Sequence, residues 1–169
     1  MKIYKKISGK KISGGEKLRV AIVISDFNRT ITDKLLKGAK LALKENGLKE
    51  KNIKVFRAPG AFEIPVIASA LLHLSDIKNK IDGVITLGCI IEGETAHFEY
   101  IASSVSNALC NLSVKERVPI GFGILTCFTE QQALNRCKIN PITQEGNKGY
   151  EAAIAVLETV ERLITVKTE

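Results

Sequence analysis

The sequence of 169 residues predicts a three-layer α/β/α domain built on a four-stranded parallel sheet. Four short runs rich in β-branched residues are typical of buried strands, and they lie at 19–25, 53–57, 81–87 and 119–125. Helical segments separate them, and this alternation indicates parallel strands joined by right-handed crossovers. No repeat or linker divides the chain, so we expect residues 19–169 to form one domain.

Five helices are predicted between and after the strands, at 33–46, 62–74, 97–112, 130–138 and 148–166. The first has an apolar face with lysines between and ends at Gly47. The second tolerates Pro65 because that residue lies in its first turn. Polar loops are expected at 76–80 and 140–146.

The basic character of the chain is concentrated at its start. The net charge is +7, and residues 1–19 hold seven lysines and arginines against one glutamate. Tyr4 is the only aromatic residue among these lysines, whereas a single-strand nucleic-acid binder would require several interleaved with them. We therefore interpret residues 1–18 as a solvated basic arm, available to add an edge strand to this sheet or to a neighbouring subunit, and expect no nucleic-acid partner.

Cysteine spacing and hydropathy indicate in which cellular compartment the protein is expected. Cys89, Cys110, Cys127 and Cys137 form no CxxC pair and no metal-ligand spacing. No apolar run approaches the roughly 20 residues needed to cross a bilayer, and the basic start lacks the apolar core of a signal peptide. We expect reduced thiols, a cytoplasmic location and no membrane partner.

The stretch 86–100, TLGCIIEGETAHFEY, is the strongest candidate site. We predict that the strand ends here, that the chain breaks at Gly88 and Gly93, and that a helix begins near His97. Unpaired N–H groups at a helix start favour an anion. A histidine there can transfer protons near neutral pH, although a capping or surface role is an open alternative. The other histidine, His73, lies in an apolar helix and is interpreted as a packed histidine or one at the edge of the core.

Other candidates are individually weaker. Residues 60–63, Gly-Ala-Phe-Glu, are typical of a helix start with a stacking aromatic, or alternatively of a capping box with a core phenylalanine. Arg136 and Lys148 are able to neutralise phosphate, or are solvated surface cations. Neither GxxxxGK[ST] nor GxGxxG occurs, which argues against nucleotide binding through those loops.

Together, however, the motifs occur in one order. They are Phe27-Asn28, PGAFEIP at 59–65, LG at 87–88 with GETAHF at 93–98, FGILT at 122–126, Gln132-Ala133 with Arg136, and NKG at 147–149. The series closely resembles the lumazine synthase family over about residues 19–165. The resemblance implies flavodoxin-like winding of the sheet and condensation of 5-amino-6-(D-ribitylamino)uracil with 3,4-dihydroxy-2-butanone 4-phosphate. The products would be 6,7-dimethyl-8-ribityllumazine, phosphate and water, formed without metal or organic cofactor.

The resemblance also implies a role for each site residue. Phe27 would stack on the pyrimidine, Ala61, Phe62 and Glu63 would contact the ribityl chain, and Cys89, Ile90 and Ile91 would hold the uracil edge through main chain. Glu94 and Thr95 would bind the phosphate, and His97 would transfer protons. Phe122 and Arg136 would complete the site from the adjacent subunit, with Arg136 on the phosphate and Lys148 supporting that pocket. The implied assembly is a homo-oligomer, a pentamer or a decamer.

The sequence departs from the family pattern at several places. Glu92 stands where a basic residue is common, and Arg57 replaces an apolar residue shortly before PGAFEIP. The 76–80 segment and the loop after Arg136 are longer than usual. Two alternatives stay open: a related enzyme such as the archaeal type of riboflavin synthase, with lumazine as its only substrate, and a non-enzymatic flavin or lumazine carrier or shell subunit.

Overall fold

A computed structural model describes residues 15–73, 80–143 and 145–168. The four strands form one parallel sheet in the order β2-β1-β3-β4 and are β1 Val20–Ser25, β2 Ile53–Ala58, β3 Gly83–Ile91 and β4 Ile120–Cys127. The helices are α1 Arg29–Glu45, α2 Ile64–His73, α3 His97–Glu116, α4 Glu130–Asn135 and α5 Lys148–Thr168, with single 3-10 turns at Gly15–Lys17 and Glu50–Asn52. The predicted three-layer architecture is confirmed.

The two faces of the sheet carry separate cores. Successive side chains of a strand point to opposite faces, so Ile22 packs with α1 and α5, whereas Val23 packs with α2 and α3. Since helices cover both faces, every residue of β1 is buried. This double burial explains why β1 has a continuous apolar run instead of an alternating pattern.

The predicted break of β3 at Gly88 is wrong. The strand continues to Ile91 and pairs with β4 as far as Ile91 opposite Cys127. A Cβ at Gly88 would lie 3.2 Å from a side-chain atom of Ile124 in β4, a tight contact, and 3.5 Å from one of Ile64 in α2, an ordinary contact. The glycine therefore makes room for its cross-strand partner Ile124 and stays within the paired strand.

Helix limits also differ from the predictions. The first helix begins at Arg29 instead of at residue 33, because Asn28 takes a left-handed conformation (φ 55°) and its carbonyl accepts from Ile31 and Thr32. The second begins at Ile64, after a turn at 61–63. The fourth ends at Asn135, since the following residues enter a local bridge. The third continues beyond the predicted residue 112 to Glu116.

Two predicted segments lie wholly or mostly outside the described residues. Only residues 15–18 of the proposed arm are described, and the 76–80 loop is described at residue 80 alone. Within the described part of the chain, no helix combines the length and apolar character needed to span a membrane.

Candidate functional site

The winding of the sheet reverses between β1 and β3. Strands β1 and β3 are neighbours, but the chain leaves β1 through α1 on one face and leaves β3 through α3 on the other face. The two connections diverge beyond the carboxyl ends of these strands. In open parallel sheets this divergence forms the usual ligand crevice.

One wall of the crevice is the side of the β3 end that β1 does not pair with. The β1–β3 ladder ends at Ile24 opposite Leu87, whereas β3 continues to Ile91 alongside β4 only. The last four residues of β3 therefore extend past β1. Their main chain is bonded from the β1 side by Asn28, whose Nδ2 donates to the carbonyl of Cys89 at 3.0 Å. Cys89 and Ile90 are buried and Ile91 is half-buried, which leaves main-chain groups as the polar features of this wall.

Phe27 stands opposite this wall on the loop after β1. Its side chain is 68% exposed, an unusual state for a large aromatic residue within a packed domain. The backbone beneath it is well fixed: Ser25 Oγ accepts from the Phe27 N–H at 3.1 Å, and Asp26 N–H donates to the Ala58 carbonyl at 2.8 Å. The loop thus presents an open aromatic face on a rigid support.

The turn after β2 contributes a second exposed aromatic. Ala61 is buried, but Phe62 is 59% exposed, so the alternative of a core phenylalanine at this position is wrong. Glu63 is half-buried, and its carboxylate lies so close to Gly60 that a Cβ there would be 2.9 Å from Oε2. Gly60 therefore makes room for the Glu63 carboxylate.

The turn after β3 leads directly into α3, which begins at His97 as predicted. The residue before the helix, Ala96, has no side-chain cap, and the nearest substitute is a long bond of 3.4 Å from the His97 N–H to Thr95 Oγ1. Glu94, Thr95 and His97 are exposed. A helix start with so little capping retains N–H groups that can bind an anion. A Cβ at Gly93 would meet nothing within 4 Å, so local packing does not require that glycine.

Arg136 and Lys148 are brought together by backbone contacts despite the long loop between them. The Lys148 N–H donates to the Arg136 carbonyl at 2.8 Å, and Cys137 and Asn147 form an antiparallel bridge. The loop closes on itself through a bond of 2.9 Å from Lys138 N–H to the Gly146 carbonyl. Its extra length therefore leaves the main chains of Arg136 and Lys148 in contact.

Lys148 has an acidic partner that the sequence analysis missed. Its Nζ lies 2.6 and 2.8 Å from the two carboxylate oxygens of Glu151. Lys148 and Glu151 are three residues apart on one helix, and this spacing by itself indicates an ion pair. An anion at Lys148 would have to share the ammonium group with this carboxylate.

Phe122 lies on the edge strand β4, which β3 separates from β1 and from the loop that carries Phe27. It is opposite Thr86 in mid-strand, five residues before the end of β4, or roughly 16 Å from that end at about 3.3 Å per residue. Its side chain is 46% exposed. An exposed ring on an edge strand is accessible to a second copy of the chain.

The cysteines near the crevice are unsuited to nucleophilic attack. Burial, together with a smaller effect of the neighbouring Cys127 and Cys137, raises the pKa of Cys89 to about 12. Burial also raises the pKa of Cys127, against an opposing effect of the nearby Arg136 guanidinium. A thiol that stays protonated near neutral pH is a poor nucleophile. Within the ranges that the structure describes, no group of three His, Cys, Asp or Glu side chains is arranged to hold a metal ion.

Most of the chain matches a known family. The model of the 6,7-dimethyl-8-ribityllumazine synthase family matches residues 17–163 of the 169. The matched range includes all four strands and every residue of the crevice. The chain therefore belongs to the 6,7-dimethyl-8-ribityllumazine synthase family.

Proposed function

We propose that this member of the 6,7-dimethyl-8-ribityllumazine synthase family is a transferase that condenses 5-amino-6-(D-ribitylamino)uracil with 3,4-dihydroxy-2-butanone 4-phosphate in riboflavin biosynthesis. One observation carries the proposal: the crevice between β1 and β3 has an open aromatic face, strand main chain that continues past the β1 ladder and a weakly capped helix start with a histidine, all at one end of the sheet. A pyrimidine and a phosphate ester require these three features.

The pyrimidine would occupy the space between Phe27 and the end of β3. A flat heteroaromatic ring stacks on an exposed aromatic face, and its polar edge pairs with main-chain groups of Cys89 and Ile91. The turn with Phe62 and Glu63 follows the adjacent strand β2 in sequence and is assigned to the ribityl chain. A half-buried carboxylate is a suitable acceptor for sugar hydroxyls.

The phosphate would bind at the start of α3. The first N–H groups of this helix and the Thr95 hydroxyl are donors, and the helix dipole favours negative charge there. Glu94 is assigned to the same turn through its main chain, because its carboxylate would repel a phosphate. Arg136 and Lys148 would supply the positive charge, from a neighbouring subunit in the case of Arg136.

The chemistry needs positioning and proton transfer more than a protein nucleophile. The substrate amine attacks the ketone carbon, water leaves to give an imine, and phosphate is eliminated after proton removal. Ring closure by the second amine then releases another water. Holding the two substrates in attack geometry can contribute roughly 7–11 kcal/mol, and an acid–base group adds about 10²–10⁴-fold. His97 at the phosphate end is assigned to these proton transfers.

We further propose that the functional unit is a homo-oligomer, a pentamer or a decamer, with sites between subunits. The position of Phe122 supports this, because its exposed ring lies in mid-strand of an edge strand and can serve a neighbour's crevice more readily than its own.

Product formation from the purified chain tests the proposal. With both substrates present, the absorbance of the lumazine should rise, and phosphate should be released in equal amount. With either substrate omitted, neither signal should appear. Riboflavin formed from lumazine alone would instead support the riboflavin synthase alternative, and lumazine binding without turnover would support a carrier.

A further inference from the structure

Arg57 is bonded to two carboxylates in different parts of the chain. Its Nη1 lies 2.7 Å from Asp26 Oδ1, and its Nη2 lies 2.7 Å from Asp33 Oδ1. Arg29 adds a second, longer set of contacts to the same two carboxylates, at 3.9 and 3.6 Å. Both short bonds raise the pKa of Arg57, which therefore stays charged. The cluster joins β2 to the loop after β1 and to α1.

The cluster encloses the segment that carries Phe27. Asp26 directly precedes Phe27, and Asp33 lies in the early part of α1, so the two bonds of Arg57 fix the chain on both sides of the aromatic residue. From the β3 side, Asn28 fixes the same segment to Cys89. The exposed ring of Phe27 has little packing of its own, so its orientation depends on how firmly the backbone beneath it is held.

We propose that Arg57 is a positioning residue that fixes the Phe27 loop for stacking on the planar ring of the pyrimidine substrate, an inference that rests on the proposed function. Arginine suits this task because its planar guanidinium donates in two fixed directions, whereas a lysine ammonium acts as a point charge. A stacking face held in place before binding loses less conformational entropy when the ligand arrives.

The fold itself depends little on this cluster. The carboxylates are 42% exposed and Arg57 is 32% exposed, and ion pairs at such sites contribute little to stability. The core beneath the cluster is completed by Ile24, Ile31 and Leu35, none of which touches water appreciably. A purely structural account therefore predicts almost no effect of removing the guanidinium.

The first test compares Arg57→Met, which keeps the length of the side chain, with Arg57→Lys. Both are assayed for KM of each substrate and for binding of the lumazine product by its fluorescence. For Arg57→Met we expect a rise of about three- to tenfold in KM for the pyrimidine and in Kd for lumazine, with little change for the phosphate substrate. Arg57→Lys should recover part of the loss. Equal losses for both substrates, or none, would overturn the inference.

The second test is a double-mutant cycle with Phe27→Ala. If Arg57 acts through the ring, Arg57→Met should cause no further loss of lumazine binding once the ring is gone. The same loss in both backgrounds would contradict the inference. Asp33→Asn provides a second route should Arg57→Met fold poorly, with the same expected pattern. Lys40→Met is the matched control, because it removes an exposed ion pair of α1 with Glu50 (3.9 Å) away from Phe27 and should bind lumazine normally.

The two proposals fail in different ways. Absence of turnover and of lumazine binding in the unaltered protein would reject the proposed function. Turnover in the unaltered protein, together with an Arg57→Met effect that is independent of Phe27, would reject the positioning role alone.

Discussion

The contact between Gly38 and Asn147 yields a stability prediction with an unusual sign. Gly38 lies within α1, where replacement by alanine ordinarily stabilises a helix by about 0.5–1 kcal/mol. Here a Cβ at Gly38 would overlap the side-chain amide of Asn147 at the start of α5. We therefore predict that Gly38→Ala destabilises the protein.

The magnitude follows from the bonds that Asn147 would lose. Its buried Oδ1 accepts from the N–H groups of Gly149 at 3.0 Å and Tyr150 at 3.2 Å, and its Nδ2 donates to the carbonyls of Lys34 and Lys138, each at 3.1 Å. Loss of a helix cap costs about 0.5–2 kcal/mol, and a buried polar group without its partners costs about 1–3 kcal/mol. After the helix-propensity gain is deducted, Gly38→Ala should cost about 1–4 kcal/mol.

Urea unfolding followed by circular dichroism measures this loss, at one fixed protomer concentration because association contributes to stability. Gly93→Ala is the matched control: a Cβ there meets nothing within 4 Å, so the free energy of unfolding should change by less than about 0.5 kcal/mol. In the double variant Gly38→Ala/Asn147→Ala the overlap disappears, and the combined loss should fall short of the sum by about 0.5–3 kcal/mol. A Gly38→Ala protein as stable as the parent would refute the reasoning.

Four further predictions concern the site, the assembly and the pH dependence. His97→Ala should lower single-turnover rates by about 10²-fold or more while the oligomer stays intact in light scattering; an unchanged rate would remove His97 from the chemistry. Arg136→Ala should weaken the phosphate substrate far more than the pyrimidine in separate titrations, and mixing its chains with His97→Ala chains should restore some activity if the two residues meet across a subunit boundary. Electron microscopy should show pentamers or decamers and no hollow shells, because the long 137–146 loop with its proline would collide between pentamers. Tyr150→Phe removes a bond of 2.6 Å to Glu45 and should cost at most about 1 kcal/mol near neutral pH, since Glu45 is exposed. Burial, together with the bond to Glu45, raises the pKa of Tyr150 from 10 to about 12. The stability linked to this shift is therefore fully present below pH 10 and is lost between pH 10 and 12. The Phe variant should lack this decline.

Local pattern determined the layers and most of the elements. The short continuous run of β-branched residues at β1 is typical of a buried strand, and the apolar faces of α1 and α5 have the period of a helix, so their types follow from the sequence alone. The start of α3 at His97 was also predictable, because the preceding residues favour a turn. The order of motifs was sufficient to indicate the family that the match to residues 17–163 then showed.

Tertiary contacts decided what local pattern could not. Gly88 is a strand breaker by propensity, yet it continues β3 because it pairs with Ile124 in a β3–β4 ladder that runs on to Ile91. This continuation creates the crevice wall. Arg57 stands where the family pattern has an apolar residue. Only the pairing of β2 with β1 brings its guanidinium to the carboxylates of Asp26 and Asp33, which accept its hydrogen bonds.

The position of Phe122 shows most clearly what the sequence alone could not predict. The sequence places it among the site motifs, but the parallel register holds it opposite Thr86, roughly 16 Å from the carboxyl end of its own strand at about 3.3 Å per residue. Sequence thus indicated which residue types are candidates for the chemistry, through local propensity and motif order. Distances between elements arise from strand pairing and helix packing across the whole chain, and for that reason only the tertiary structure decided which of those residues one chain brings together.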